Sequence, residues 1–220
     1  MLIIGVCGSA CSGKDSVAEI LERDFGFVHI STSKLVRDEV LNERQKETRE
    51  NQTRVANSTR REYGSDYFVK EAIRLGTHGS HSSENLVLSG IYCVGEARYL
   101  LSQKDSFLIG VSGPDVKQRF ERLKTRIAGK QDHMTFEHFK ERDSKEKSGQ
   151  HDWEPNVEQV MRLANVVIEN QSTFDDLQAK VHAAVKMISG LSPFRSDVSL
   201  DNSKSAGLKS LDQITENVAL

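Results

Sequence analysis

Lys14 lies in the one stretch of this chain whose residue types and spacing specify a chemistry by themselves: Gly8-Ser9-Ala10-Cys11-Ser12-Gly13-Lys14-Asp15-Ser16. That chemistry is phosphate binding. Glycines at both ends of the loop let successive backbone N–H groups turn inward around phosphate oxygens, and a lysine directly after the second adds a point charge for the outer phosphates. The residue after such a lysine is ordinarily Ser or Thr, whose hydroxyl holds Mg²⁺. Here it is Asp15, followed by Ser16. A carboxylate is a hard-oxygen ligand suited to Mg²⁺. Asp15 and Ser16 are therefore expected on the metal, and Lys14 and Asp15 are the expected catalytic residues of the loop. Gly8, Ser9, Ala10, Cys11, Ser12, Gly13, Lys14, Asp15 and Ser16 together are expected to hold the phosphates of ATP.

Arginines make the second group of candidates. Arg119, Arg122 and Arg126 recur at helical spacing beside an apolar stripe of Val116, Phe120, Leu123 and Ile127. Such a line serves either solubility or the neutralisation of charge in phosphoryl transfer, for which arginine suits better than lysine. Arg60 and Arg61 are either surface charge or a clamp for an acceptor phosphate. Ser31 and Ser33 stand at a helix start as an N-cap or as an acceptor contact. His78 and His81 share a Gly/Ser/His loop with no acidic or cysteine partner and read as solvent-facing. Cys7, Cys11 and Cys93 are odd in number and lack a CxxC pair, so they are expected to be neither paired nor metal-bound. Cys7 and Cys93 are expected to face the core, with Cys11 the exposed one.

The elements that must position these residues follow from periodicity. Leu2–Cys7 reads as a strand running into the loop, and Val17, Ile20, Leu21 and Phe25 as the inner face of the helix after it. Further strands are expected at 26–30, 85–88, 107–111 and 166–168, alternating with helices. The second helix is expected to bury Leu35, Val36, Val40 and Leu41. That order predicts an α/β fold with a buried parallel sheet of about five strands and its sites at the strand C-terminal ends. Glu43–Arg61 is polar and reads as a mobile helical or loop excursion. Pro114 is expected in the first turn of the arginine helix, and Trp153 and Pro155 as packing anchors. Gly129-Lys130-Gln131-Asp132, followed by a helix from Thr135, reads as a closing lid. Thr173 with Asp176 suggests a capping box ahead of the last core helix.

Length and charge bound the rest. At 220 residues the chain fits one domain, expected at 1–190, with a Ser-rich flexible tail at 191–220. A formal net charge of −2 gives no global basic field, so no nucleic-acid partner is expected. No apolar run is long enough for a membrane span, and the strand beginning at Leu2 leaves no room for a signal peptide, so the cytoplasm is expected.

With these residues on the page, the chain resembles the P-loop small-molecule kinases, the group containing nucleoside monophosphate kinases and dephospho-CoA kinase. The resemblance runs from Leu2 to about Ile188 and rests on the loop, on Phe120–Arg126, on Thr135–Asp143 and on Ala164–Asn170. It implies a P-loop NTPase fold with a helical lid, and ATP and Mg²⁺ as cofactors. It implies a small phosphate acceptor as partner, with Arg119, Arg122 and Arg126 facing the phosphates. Arg122 and Arg126 would then be catalytic, Arg119 would bind nucleotide, and Asn170 would lie near the adenine. The group often ends its third strand with Asp-Gly; here the stretch is Ser89-Gly90-Ile91-Tyr92, leaving Asp15, Asp38, Asp66 or Glu96 to supply the acid. The N-terminus also resembles the kinase-like region fused to fungal deoxycytidylate deaminases, but the His-x-Glu and Pro-Cys-x-x-Cys of that chemistry are missing. The expectation is ATP-dependent phosphoryl transfer to a nucleotide-like acceptor; the alternatives are a nucleotide-binding module without turnover, or an NTP hydrolase.

Overall fold

The computed structural model describes residues 1–78, 85–127 and 134–191. His81, Gly129–Asp132 and the stretch after 191 therefore lie outside the described residues. Five strands form a wholly parallel sheet in the order β2-β3-β1-β4-β5. The strands are β1 (Ile3–Cys7), β2 (Val28–Ser31), β3 (Leu86–Ile91), β4 (Ser106–Ser112) and β5 (Val166–Glu169). Side chains alternate between the two faces of β1, as strand geometry requires. Ile4 and Val6 pack on one side with α1 (Lys14–Phe25) and α9 (Phe174–Leu191). Ile3 and Cys7 pack on the other with α4 (Tyr67–Thr77), α5 (Val94–Leu101) and α8 (Val157–Arg162). Both faces are covered, so the central strands read as continuous apolar runs.

Four more helices are described. They are α2 (Thr32–Asn42), α3 (Arg49–Tyr63), α6 (Val116–Ile127) and α7 (Phe136–Lys147). Ser31 caps α2 by accepting from the Lys34 amide. Val36 and Val40 are buried on this helix, but Leu41 is 56% exposed, contrary to its expected place on the inner face. The expected mobile excursion is corrected by α3, which is capped by Thr48 and buries Val55, Ala56 and Arg60. Ala56 packs with Val36 and Phe68, so three helices share a small core of their own. Pro114 lies ahead of α6, not in its first turn; Asp115 caps it by accepting from the Gln118 amide at 2.9 Å. Phe120 and Leu123 of α6 pack on Phe139 of α7, which makes the helical lid one unit. Among the described residues, no helix is long and apolar enough to cross a membrane.

Candidate functional site

The loop between β1 and α1 has the backbone that phosphate binding needs. Gly8 and Gly13 have φ of +142° and +104°, and Cys11 adopts +58° without being glycine. A Cβ on Gly8 would meet the Val111 carbonyl, and one on Gly13 would meet the Asn170 amide nitrogen. The first backbone bond of α1 runs from the Val17 N–H to the Gly13 carbonyl. The amides from Gly13 to Ser16 thus open the helix unpaired among the described residues, at its positive end.

Lys14 is buried, with 6% exposure; its Nζ donates to the Ser9 carbonyl at 3.0 Å and stands 5.2 Å from the centre of the Tyr92 ring. Burial works against the ammonium, but Tyr92, Asp15 and Glu146 outweigh it and raise the pKa. Asp15 is exposed and pairs with Arg126 at 3.5 Å. Ser16 is half-buried beside it. The Ser12 hydroxyl is buried without a partner, against Gly8 and Gly113.

The arginine line divides by position. Arg119 is 4% exposed, and its guanidinium grips both carboxylate oxygens of Asp143 at 2.5 and 2.7 Å. It also donates to the carbonyls of Ala10 and Pro114. It therefore fastens α6 to α7 and to the phosphate loop. Arg122 donates to the Asn170 carbonyl at 3.1 Å, and Arg126 reaches Asp15. Asn170 returns the tie by donating from Nδ2 to the Ser12 carbonyl at 2.8 Å. The end of β5 is thus bonded directly to the loop.

The third-strand position is also settled by contacts. Ser89 is buried, and its hydroxyl meets His29 Nε2 at 2.9 Å. Glu96 was one of four acids expected to replace it, but it is wholly committed. One oxygen takes two bonds from Arg60 at 2.8 and 3.0 Å, and the other caps α5 through the Tyr92 and Cys93 amides. Asp66 pairs with Lys70 at 2.9 Å, and Asp38 is exposed on α2. Arg60, expected as a surface charge or an acceptor clamp, is buried with its charge already matched.

A solvent-open cleft is lined by Thr32, Ser33, Arg49, Asn57, Arg60, Tyr92, Arg142 and Glu146 among others. Sequence reasoning missed Arg142 and Glu146. A usable signal was present: Phe139, Asp143 and Glu146 have i, i+4, i+7 spacing, which puts them on the face of α7 that the buried Phe139 turns inward.

The remaining candidates fall away from the site. His78 is bonded to the Arg74 carbonyl, and exposed His151 stacks on Trp153 at 4.9 Å. Cys7 and Cys93 are buried and Cys11 is partly exposed. Burial pushes the Cys7 thiol up to about 12.

The residues present fit a nucleotide triphosphate and Mg²⁺. The glycine cradle would be filled by a Cβ, the helix amides are unspent, and Lys14, the one buried lysine among the described residues, aims across the loop. Asp15 and Ser16 offer hard oxygens at the same helix start. Among the described residues no three His, Cys, Asp or Glu side chains converge, so such an ion would take most of its oxygens from phosphate and water.

Comparison with known proteins agrees with the architecture. A UPF0200 protein of Thermococcus kodakarensis is 29% identical over 191 residues, covering 85% of this chain and 98% of that one. A UPF0200 protein of Thermococcus gammatolerans is 30% identical over 195 residues, covering 86% and 97%. Among solved structures, shikimate kinase from Acinetobacter baumannii in complex with shikimate has a TM-score of 0.54 at 12% identity, covering 88% and 96%, which shows the shared fold. The AAA domain profile AAA_18 matches residues 4–148, taking in the loop, helices α6 and α7 and every cleft-lining residue but Pro155. The fold is that of the P-loop kinases, and the chain belongs to the AAA_18 family of AAA domains and to the UPF0200 family.

Proposed function

We propose that this protein is an ATP- and Mg²⁺-dependent phosphotransferase acting on a small, nucleotide-like acceptor, of nucleotide kinase or dephospho-CoA kinase type. One observation carries the reading: Tyr92 both lines the arginine-walled cleft and stands over Lys14 of the phosphate loop. Donor and acceptor sites therefore share a wall, as in-line transfer requires. Lys14 and the amides of Gly13–Ser16 hold the donor phosphates, with Asp15 and Ser16 facing the metal. Arg122 and Arg126 lie along the nucleotide side and neutralise charge in the transition state. Mg²⁺ would supply charge neutralisation at the phosphate oxygens.

A second reading, a nucleotide-binding module without turnover, is favoured by the Ser89–His29 bond where related kinases carry an acid. ADP release measured with ATP, Mg²⁺ and a panel of acceptors separates the two. The kinase reading expects acceptor-dependent ADP. Acceptor-independent ADP would mean a hydrolase, and ATP binding without turnover would mean the module.

A further inference from the structure

With Ser89 neutral, the acid that serves the acceptor must come from elsewhere. Glu96 and Asp143 are spent in buried pairs, and Asp15, which pairs with Arg126 at the start of α1, is the carboxylate assigned to the metal. Among the residues that line the cleft, Glu146 is the one carboxylate. We infer that Glu146, carried into the cleft by lid helix α7, is the catalytic base for the acceptor, and that the acceptor is an anion attacking through a hydroxyl and not through a phosphate oxygen. This rests on the phosphotransferase reading above and narrows its substrate class.

The cleft wall is built for that chemistry. Arg60 brings a charge already matched by Glu96, and Arg142 stands 3.5 Å from Glu146, so Arg49 is the lining guanidinium with no carboxylate beside it among the described residues. Arg142 Nε is buried and makes no hydrogen bond; Glu146 Oε1 lies 3.5 Å away but is not aligned to accept. Asn57 Oδ1 on the facing helix is buried and unbonded too. A buried donor and a buried acceptor left open across one cleft each carry a desolvation cost until a ligand meets them. The ligand that meets both has an anionic oxygen for Arg142 and a donor for Asn57. Glu146 adds the decisive constraint. A phosphate nucleophile attacks through an oxygen that is already ionised, so it needs no base and would bring its own negative charge against this carboxylate. A hydroxyl needs a base, and a partly exposed carboxylate at the cleft wall provides one.

The step balances with ATP as the named co-reactant. The acceptor oxygen bonds to the terminal phosphorus, and the bond from that phosphorus to the bridging oxygen breaks. That electron pair leaves with ADP, and the hydroxyl proton passes to Glu146 and then to water. The product is a phosphate monoester.

The test uses the full chain with ATP, Mg²⁺ and two probe sets: AMP, CMP, GMP and UMP, and the hydroxyl-bearing anions ribose 5-phosphate, glucose 6-phosphate and shikimate. Phosphorus NMR distinguishes a new phosphate monoester from a new phosphoanhydride. The expected product is a monoester. Glu146→Gln is expected to lower kcat by about 100-fold or more, with the acceptor KM and ATP affinity held within about threefold. Glu146→Asp, which keeps a base on a shorter arm, is expected to retain an intermediate rate. Unchanged melting of both variants shows that the fold is intact. A phosphoanhydride product, or a full rate in Glu146→Gln, overturns this inference and leaves the phosphotransferase standing. ATP binding with no acceptor-dependent turnover in the wild type removes both together.

Discussion

Gly13 is held between two demands, a left-handed φ of +104° and the close approach of the Asn170 amide. Gly13→Ala meets both and is expected to cost about 1–3 kcal/mol from backbone strain, with the collision in addition. Adding Asn170→Ala should recover the collision but not the strain. Urea unfolding of the two variants checks this; wild-type stability in Gly13→Ala would mean that the loop is looser than described. Cysteine reactivity offers a second residue-scale test. Burial raises the Cys7 thiol to about 12 and raises Cys93 as well, whereas Cys11 is partly exposed in the loop. Iodoacetamide at neutral pH should modify Cys11 first, and ATP with Mg²⁺ should slow it; peptide mass spectra showing Cys7 modified as fast would contradict the burial. The loop was legible in the sequence because its parts are contiguous. Its fastenings were not: Asn170 meets Ser12 across 158 positions and Arg119 meets Asp143 across 24, and no periodicity encodes either pairing.

At the scale of elements, α3 is held by a charge where apolar anchors are scarce. Arg60 lies buried against Glu96, which also caps α5, so one carboxylate joins α3 to the β3–α5 turn that carries Tyr92. Glu96→Gln leaves that guanidinium buried without a counter-charge and should cost about 3–5 kcal/mol. Thermal and urea unfolding together measure it, and a loss below about 1 kcal/mol would place the pair in the class of weak surface bridges. The five strands and the inner faces of α1 and α9 were legible because their apolar runs are dense. α3 was not, since Val55 and Ala56 are its only buried apolar residues among those described, and its remaining burial depends on a partner 36 positions away.

For the whole molecule, acid stability reports how the lid is fastened. Burial alone would raise the Asp143 carboxyl, but Arg119 and Lys147 outweigh it and hold it below the usual range. Such a depressed carboxyl contributes stability in full above its unfolded value of about 3.9, and that stability is lost as pH falls through the folded value. The melting temperature should therefore drop as pH is lowered below about 4. Asp143→Asn should start lower and drop less steeply, and an identical slope in both proteins would mean that other carboxylates govern the acid limb. The strand order was not legible beyond its parallel character, because periodicity says what each strand buries and not which neighbour it pairs with. The cleft was illegible for the same reason: α2, α3, the end of β3 and α7 meet only in the folded chain.

The proposed phosphotransfer depends on the loop from Gly8 to Ser16 holding a nucleoside triphosphate. Calorimetric titration of ATP with Mg²⁺ into the wild type and into Lys14→Met, which keeps the buried stem and removes the charge, tests that claim most directly. Saturable binding in the wild type, weakened by about 100-fold or more in a variant that melts normally, is the predicted result. Equal affinity in the two proteins, or no binding in either, would contradict it.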